Sequence, residues 1–443
     1  MSEPVAVSPQ QNPAPGPSGN RSSRPRIVII GGGFAGVAAA KALRHCDAEV
    51  MVIDRRNHHI FQPLLYQVAT AVLAPADVAA PIRQLAARQQ NVYVLLAEVV
   101  GVDMTSRSVD VKYPGAGEKK IGFDYLVVAA GVQSSYFGHN EFAKYAPCLK
   151  TITDAQAIRS RILSAYEAAE STDDDGERRR QMTFVLVGAG PTGVEMAASI
   201  AQMATTTLRA NFRRIDPANT SIILLDGAKR VLPSFAESSS DKASKRLAKL
   251  GVKVITSAMV EHIDDRGVTV GGVRIDCGTV LWTAGVSPSP LVKMLAVATD
   301  RAGRACVGPC LNLPDNPKIF VVGDAATLIQ DGRPLPGVAQ VAIQQGRYVG
   351  RWIARALSGA TAPRPFRYFD KGNMAVIGKN FAIMESGRIR LAGFIPWCIW
   401  AFVHLMFLPQ LQNQRRVQNQ WFWSYFTGQR SSRLVDETSH VGA

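Results

Sequence analysis

The sequence predicts an α/β protein with two Rossmann-like domains and a C-terminal amphipathic helical segment. Three observations predict this architecture. The chain has 443 residues, which is more than one ordinary core accommodates. Two segments, RIVIIGGGFAG and TFVLVGAGPTG, each have the pattern of a buried strand, a glycine turn and a helix. Four of the six tryptophans fall near the C-terminus, beside other aromatic and basic residues.

The first glycine turn has the spacing of a dinucleotide-binding motif. The apolar run Arg26–Ile30 leads into glycines spaced G-x-G-x-x-G, which are Gly31, Gly33 and Gly36. These glycines allow a tight turn and let the backbone approach a pyrophosphate, which rests on the helix N-terminus. The following strand ends at Asp54, an acid suited to accept hydrogen bonds from a ribose. A merely glycine-rich turn would have no use for that acid, so we expect a dinucleotide here.

A second glycine turn repeats the first. Its glycines are Gly188, Gly190 and Gly193. Its acid is Asp226, at the end of the apolar run SIILLD. A carboxylate there should bind a free 2′-hydroxyl and repel a 2′-phosphate, which favours NADH over NADPH. The nearby Lys229 and Arg230 weaken that preference.

Three later segments fit the same plan, because each is an apolar strand that ends in small residues. They end at Ala130 and Gly131, at Ala284 and Gly285, and at Gly323 and Asp324. Small residues leave room for a cofactor to pass, and Asp324 suits a hydroxylated ribityl chain. A strand-end aspartate also often caps a helix, so both interpretations of Asp324 stay open.

The formal net charge of +15 calls for an anionic partner, such as nucleic acid, a membrane or a small ligand. No zinc-finger spacing or aromatic–basic RNA-binding pattern occurs, so nucleic acid is not expected. The adjacent His58 and His59 have no third ligand spaced nearby, and no metal site is predicted. Residues 1–24 are rich in Pro, Ser and Gln and are predicted to be a disordered tail rather than a signal peptide.

Taken in order, the motifs GGGFAG, AAG, GAGPTG, TAG and GDAA resemble the two-dinucleotide-binding flavoproteins. The resemblance implies FAD at the first turn and NAD(P)H at the second, with the nicotinamide domain inserted in the flavin domain. It gives an FAD-binding domain at residues 25–150 and 286–370, an NADH-binding domain at 151–285 and a membrane-associating region at 371–443. Stacking the two rings lets hydride pass from nicotinamide to flavin N5 without release of an intermediate.

Within that superfamily, NHHIFQPLLYQVAT, VGAGPTGVEMA, PLPGVAQVAIQQGRYV and YFDKGNMAVIGKNFAI resemble type II NADH dehydrogenases. These are non-pumping NADH:quinone oxidoreductases. The resemblance implies one non-covalent FAD per chain, NADH and a membrane quinone as substrates, and a peripheral position on the cytoplasmic face of the cell inner membrane. Disulfide reductases carry a cysteine pair soon after the first turn, and this chain has none there.

Three alternatives stay open: a sulfide:quinone oxidoreductase, an NADH oxidoreductase with a soluble acceptor, and a membrane-associated FAD/NADH redox sensor. Cys148, Cys306 and Cys310 are the cysteines that a sulfide reaction would have to use, although none lies in a recognisable sulfide motif. The six cysteines are scattered without a CxxC pair, which predicts reduced, intracellular thiols.

The motifs and the resemblance together give a set of expected cofactor contacts. Those for FAD are Gly31, Gly33, Phe34, Ala35, Gly36, Asp54, Pro63, Leu64, Ala130, Gly131, Asp324, Ala339 and Gln340. Those for NADH are Gly188, Gly190, Pro191, Thr192, Gly193, Glu195, Asp226, Ala284 and Gly285.

Three residues are expected to be catalytic. Glu195 is predicted in the first turn of its helix, where the helix dipole alone would favour a carboxylate. The resemblance implies instead that this acid reaches the flavin and quinone, where a raised pKa would let it relay protons. A second helix, beginning near Ala339, carries Gln340 and Gln344 on one face, and the resemblance implies that both meet the quinone head group. The alternative is a polar helix face in contact with solvent.

The C-terminal segment contains an eighteen-residue apolar run, residues 391–408, which is interrupted by Pro396 and followed by Pro409. The dozen residues between the prolines would span about 18–20 Å, short of a ~30 Å hydrocarbon core. Interfacial tryptophans with basic flanks predict a helix in the plane of anionic head groups. These residues are Trp397, Trp400, Trp421, Trp423, Arg415, Arg416, Arg430 and Arg433. The same aromatics would also suit a homodimer interface.

Overall fold

A computed structural model describes residues 24–361 and 363–435. Apart from Arg24, the predicted disordered tail lies outside the described residues. The framework consists of two sheets whose strands are mostly parallel. Each sheet is covered by helices on one face and by a three-stranded antiparallel sheet on the other. The α/β fold with Rossmann-like sheets is therefore confirmed.

The first sheet has six strands, and all neighbours are parallel except the first pair. Their spatial order is Asn312–Leu313, Asn316–Val321, Tyr125–Val128, Arg26–Ile30, Glu49–Asp54 and Val92–Leu96. Helices Phe34–Ala42 and Ala339–Leu357 pack together on one face. The other face is covered by Glu98–Asp103, Ser108–Tyr113 and Gly117–Gly122. Because both faces are covered, the central strands are continuous apolar runs.

The second sheet has four parallel strands, in the order Val252–Ile255, Ser221–Leu225, Thr183–Val187 and Thr279–Trp282. Its helices are Ile152–Ser171, Pro191–Gln202 and Glu237–Lys249, and its antiparallel cover is Val260–Ile263, Gly267–Val270 and Val273–Asp276. In chain order, these four strands all lie between Tyr125–Val128 and Asn312–Leu313, the fourth and fifth strands of the first sheet. Val132–Ser134, where the chain leaves the first sheet for the second, pairs antiparallel with Val286–Pro288, where the chain returns.

The C-terminal part has three antiparallel strands and two helices. The strands are Asn373–Val376, Ala382–Ser386 and Ile389–Gly393, and the helices are Phe394–Phe407 and Leu411–Thr427. Asn413 ties the last helix to the body of the protein by donating to the carbonyls of Ala76, Asp77 and Ala79. No helix in the described part of the chain has both the length and the apolar character needed to cross a membrane.

The other elements are short. The helices are Leu65–Ala69, Pro75–Val78, Ile82–Ala86, Asp175–Gln181 and Leu291–Met294, with 3₁₀ turns at Gln62–Leu64, Asn140–Lys144, Pro217–Asn219 and Gly323–Ala325 and a π turn at Met203–Thr207. The strand pairs are His58–Ile60 with Ala79–Pro81, Ala305–Cys306 with Ala326–Thr327, and Ile329–Gln330 with Arg333–Pro334.

Candidate active site

The first glycine turn needs its glycines for two separate reasons. Gly31 has a φ of +103°, and its N–H donates to the Ile53 carbonyl at 2.8 Å. At Gly36 a Cβ would lie 1.8 Å from the Gly31 carbonyl oxygen, so only glycine lets the helix pack this close to the strand. Gly33 caps the helix that follows, and open space surrounds the position its Cβ would take. The helix N-terminus is therefore accessible to a pyrophosphate.

The two predicted ribose acids occupy equivalent positions in the two sheets. One carboxylate oxygen of Asp54 accepts from the N–H of Gly32 at 2.7 Å, and the other accepts from the N–H of Arg56 at 2.8 Å. Asp226 repeats this pattern with the N–H groups of Ala189 and Ala228, at 2.5 and 2.7 Å. Each acid is therefore held beside its own glycine turn by the backbone on both sides.

A cavity of about 300 Å³, here called the dinucleotide cavity, runs along the first glycine turn. Among its lining residues are the predicted contacts Gly31, Gly33, Phe34, Ala35, Asp54, Pro63, Ala130, Gly131, Asp324 and Ala339. It meets a second cavity of about 360 Å³, and both share Asp54 and Lys150. These two adjoining cavities, lined by a glycine turn and a strand-end acid, fit FAD. Leu64, Gly36 and Gln340 do not line the dinucleotide cavity.

Lys150 and His59 line the same cavity, although neither was among the predicted cofactor contacts. His59 lies in the segment NHHIFQPLLYQVAT, whereas Lys150 lies in none of the motifs. Burial lowers the pKa of Lys150, and the charge of Asp324 opposes that shift. Burial likewise raises the pKa of Asp324, against the attraction of Lys150 and Arg304. His59 shares a hydrogen bond of 3.0 Å between its Nδ1 and the Gly32 carbonyl, which holds the ring against the glycine turn.

The predicted NADH contacts gather around the second glycine turn. A Cβ on Gly188 would come within 2.7 Å of the backbone nitrogen of Ala284, so these two strand ends touch. A Cβ on Gly193 would lie 1.8 Å from the Gly188 carbonyl oxygen, the same close approach that a Cβ on Gly36 would make to Gly31 in the first turn. Gly190 caps the helix that begins at Pro191. Thr192, in its first turn, also lines the dinucleotide cavity and so connects the two predicted sites.

Glu195 is the fifth residue of the helix Pro191–Gln202, so the prediction that it lies in the first turn is wrong. The helix begins at Pro191, because Gly190 is its cap, and this places Glu195 one turn deeper. The N–H of Val376 donates to Glu195 Oε1 at 3.3 Å. Burial raises the pKa of the carboxyl to about 8, and the Val376 hydrogen bond partly opposes the shift. The helix dipole therefore does not account for this acid.

A third cavity, of about 640 Å³, lies between Glu195 and the C-terminal helices. It is here called the apolar cavity. Aromatic side chains supply much of its wall, among them Phe394, Trp397, Trp400, Trp421, Phe422, Tyr425 and Phe426. Among the described residues, Tyr66 and Glu195 alone line both the apolar cavity and the dinucleotide cavity. The two titratable groups therefore form the boundary between a polar and an apolar compartment.

Three residues predicted to face lipid head groups are buried or half-buried in the protein instead. Trp400 is 3% exposed, and Trp421 is half-buried with its Nε1–H donating to Gln67 Oε1. Arg430, at 6% exposed, donates to the carbonyls of Thr70 and Ser199. Burial lowers its pKa to about 10. The prediction was wrong for Arg430 because the chain folds back over the helix Pro191–Gln202 after its last helix. It was wrong for Trp400 because this side chain packs into the hydrophobic core.

Comparison with known proteins places the chain in a family. A model described as pyridine nucleotide-disulphide oxidoreductase matches residues 25–346. The type II NADH:quinone oxidoreductase NdhA of Mycobacterium tuberculosis is 43% identical over 425 residues, covering 93% of this chain and 89% of that protein. The chain belongs to the pyridine nucleotide-disulphide oxidoreductase family and, within it, to the type II NADH:quinone oxidoreductases. The type II NADH:quinone oxidoreductase Ndh of the same organism is 42% identical, covering 97% of this chain and 94% of that protein.

Two solved structures share the fold of this family member. NDH2 from Plasmodium falciparum in complex with NADH has a TM-score of 0.83 at 20% identity, covering 92% of this chain and 99% of that chain. The sulfide:quinone oxidoreductase of Aquifex aeolicus has a TM-score of 0.67 at 18% identity, covering 91% of this chain and 95% of that chain. At these identities the likeness concerns the fold alone.

The two glutamines expected at the quinone of this type II oxidoreductase bind backbone instead of lining either cavity. The helix begins at Ala339, as predicted. Gln340 donates to the Gly372 carbonyl at 3.2 Å, and Gln344 exchanges two hydrogen bonds with the backbone of Phe369. Gln340 and Gln344 thus hold the segment 369–372 against their helix. Gln345, on another face, accepts from the N–H of Gly323 at 2.7 Å.

The described part of this oxidoreductase contains neither a candidate metal site nor a disulfide. No group of three or more His, Cys, Asp or Glu side chains suited to a metal occurs there. The dinucleotide cavity has no cysteine among its lining residues, and Cys148 lines only the adjoining cavity. Cys306 and Cys310, the other cysteines considered for a sulfide reaction, line none of these three cavities.

Proposed function

We propose that this chain transfers two electrons from NADH to a membrane quinone through one non-covalently bound FAD, without pumping protons. The boundary formed by Tyr66 and Glu195 carries the proposal, because it joins a dinucleotide-shaped space to an apolar space. FAD would lie along the first glycine turn, NADH along the second, and the quinone head group in the apolar cavity. In domain terms, residues 25–150 and 286–370 would hold FAD, and residues 151–285 would hold NADH.

The protein supplies binding and proton transfer, while bound FAD supplies the acceptance of hydride from NADH and the passage of electrons to the quinone. The first glycine turn and its helix N-terminus bind the pyrophosphate, and Asp54 binds a ribose. Asp226 performs the second task for NADH and disfavours a 2′-phosphate. Because burial raises its pKa to about 8, Glu195 carries its proton at neutral pH and can deliver it to a quinone oxygen. A direct quinone contact from Gln340 or Gln344 stays a prediction.

The apolar cavity favours a lipid-soluble acceptor over a water-soluble one, because it is walled by aromatic side chains. Large apolar residues of the same C-terminal helices are exposed: Phe394, Ile395, Phe402, Met406, Phe407, Leu411, Phe422, Trp423 and Phe426. Four of these, Phe394, Phe402, Phe422 and Phe426, also line the apolar cavity, which therefore opens at this surface. Exposed cations, Arg415 and Arg416, lie on the second of these helices. We propose that residues 371–443 bind the anionic cytoplasmic face of the inner membrane peripherally, with a homodimer as a second use of the same surface.

Anaerobic stopped-flow absorbance of the FAD-loaded protein tests the proposed reaction. NADH should bleach the flavin, and a short-chain quinone mixed in a second step should restore its colour within the turnover time. Bleaching without recovery would favour the redox sensor. Recovery with a water-soluble dye but not with quinone would favour the soluble acceptor. Bleaching by sulfide rather than NADH would favour the sulfide:quinone alternative.

A further inference from the structure

The orientation of the Gln67 side chain is fixed by a neighbour that can only donate. Trp421 Nε1–H donates to Gln67 Oε1 at 2.7 Å, and Gln67 Nε2 donates to Tyr66 Oη at 2.9 Å. An indole N–H has no acceptor capacity, so the amide oxygen has to face Trp421. The amide nitrogen then has to face Tyr66. The exchange of oxygen and nitrogen that usually leaves an amide ambiguous is therefore excluded at this position.

This chain of donors leaves the phenolic hydrogen of Tyr66 free. Tyr66 Oη already accepts from Gln67, so its own hydrogen has to point to another acceptor, and none is found among the described residues. The side chain lies on the boundary of the two cavities, beside Glu195. Burial and the Glu195 carboxyl raise the pKa of Tyr66 well above its usual value, despite opposing effects of Gln67 and Arg430. The phenol therefore keeps its hydrogen at physiological pH.

We propose that Tyr66 donates a hydrogen bond to a carbonyl oxygen of the quinone, and that Trp421, acting through Gln67, is the positioning residue that directs this bond. The inference rests on the proposed function and adds a specific contact to it. As the quinone accepts two electrons, negative charge grows on that oxygen, so a fixed neutral donor stabilises it more than the starting carbonyl. Tyr66 keeps its hydrogen throughout. Of the two hydrogens that the quinol gains, one balances the hydrogen that NADH delivers as hydride, and the other is the proton of Glu195, which water then replaces.

The proposal links the C-terminal helix to the chemistry through one indole N–H. Trp421 lies on the helix Leu411–Thr427, 354 positions from Gln67 in the chain. With Phe in place of Trp421, the ring would remain but the N–H would be lost. The Gln67 amide could then rotate and present its oxygen to Tyr66, so the phenolic hydrogen would turn from the quinone to Gln67.

Packing is the competing explanation, because Trp421 also packs against Trp400 with ring centroids 5.4 Å apart. The variants Tyr66→Phe, Trp421→Phe and the double variant separate the two explanations. Trp352→Phe is the matched control, since it also removes a buried indole N–H, but one that has no hydrogen-bond partner among the residues that the structure describes. The measurements are the rate at which a short-chain quinone restores the flavin colour, the rate of bleaching by NADH, and the temperature of unfolding.

Tyr66→Phe should lower the rate of the quinone step about 10- to 100-fold, the range between a neutral hydrogen bond and a donor to a developing oxyanion. Trp421→Phe should lower it less, about 3- to 10-fold, and the double variant should match Tyr66→Phe alone because both substitutions remove one hydrogen bond. Bleaching by NADH should be unchanged in every variant, and Trp352→Phe should match the wild type.

Two results would overturn the inference while leaving the proposed function intact. One is a wild-type quinone rate in Tyr66→Phe. The other is a double variant whose loss is the product of the two single losses, which would make Trp421 a packing residue only. If Tyr66→Phe failed to fold, a wild-type quinone rate in Trp421→Phe would still refute the role of Trp421. A wild-type protein that NADH bleaches but no quinone restores would refute the proposed function itself.

Discussion

Replacing Glu195 with Gln removes the ionisable carboxyl group at the boundary of the two cavities and keeps the size of the side chain. General acid catalysis contributes about 10²- to 10⁴-fold, so the quinone step should slow by a factor in that range. Bleaching by NADH should be retained, because hydride transfer between two dinucleotides needs no proton from Glu195. The amide oxygen of Gln can still accept from the Val376 N–H.

The pKa gives this prediction a pH dependence. With a pKa of about 8, about nine-tenths of the Glu195 carboxyls are protonated at pH 7. The wild-type quinone rate should be flat below pH 7 and should fall about tenfold per pH unit above the pKa. The rate of Glu195→Gln should be low and independent of pH across the same window, because an amide does not titrate there.

Double-mixing stopped-flow absorbance measures this rate directly. Protein bleached by one equivalent of NADH is mixed with a short-chain quinone at a series of pH values, and the return of flavin colour is followed. Asp331→Asn is a suitable control, because that carboxylate is exposed and pairs with Arg367 outside the three cavities. A Glu195→Gln variant with the wild-type rate and pH profile would refute the assignment of Glu195 as the proton donor.

Three further predictions concern stability and the two binding surfaces. The Glu195 pKa is raised from 4.5 to about 8 on folding, so stability should decrease as pH rises from about 4.5 to 8, by on the order of 5 kcal/mol in total. Urea unfolding of Glu195→Gln should lack this decrease; an equal decrease in both proteins would contradict the burial of the acid. Gly193→Ala places a methyl group against the Gly188 carbonyl, so the KM for NADH should rise at least about tenfold while FAD content is kept. An unchanged KM would place NADH elsewhere. Replacing Ile395, Met406 and Trp423, exposed apolar residues that do not line the apolar cavity, with Ser should weaken sedimentation with anionic vesicles more than about tenfold. Unchanged sedimentation would leave these residues to a homodimer.

Features fixed by nearby residues could be predicted from the sequence. The two glycine turns depend on φ angles and close approaches within a strand–turn–helix unit, so spacing alone located Gly31, Gly36 and Asp54. The start of the helix at Ala339 was equally local. The position of Glu195 was missed by one turn, because the sequence does not say whether the last glycine precedes or follows the helix cap.

Features that depend on long-range contacts could not be predicted. The bond between Trp421 and Gln67 joins residues 354 positions apart, and nothing local to either residue announces it. Arg430 was predicted to be a surface cation from its aromatic and basic neighbours, yet it donates to carbonyls in two distant parts of the chain. Amphipathic composition indicates that a helix has two faces. It does not indicate how much of the apolar face covers a cavity and how much stays exposed.

The most direct test of the central claim is an experimental structure of the FAD-loaded protein with a short-chain quinone bound. The account predicts the head group in the apolar cavity, with one carbonyl oxygen within hydrogen-bond distance of Tyr66 Oη and Glu195 beside it. A head group bound outside that cavity, for example against Gln340 and Gln344 with the segment 369–372 displaced, would contradict it.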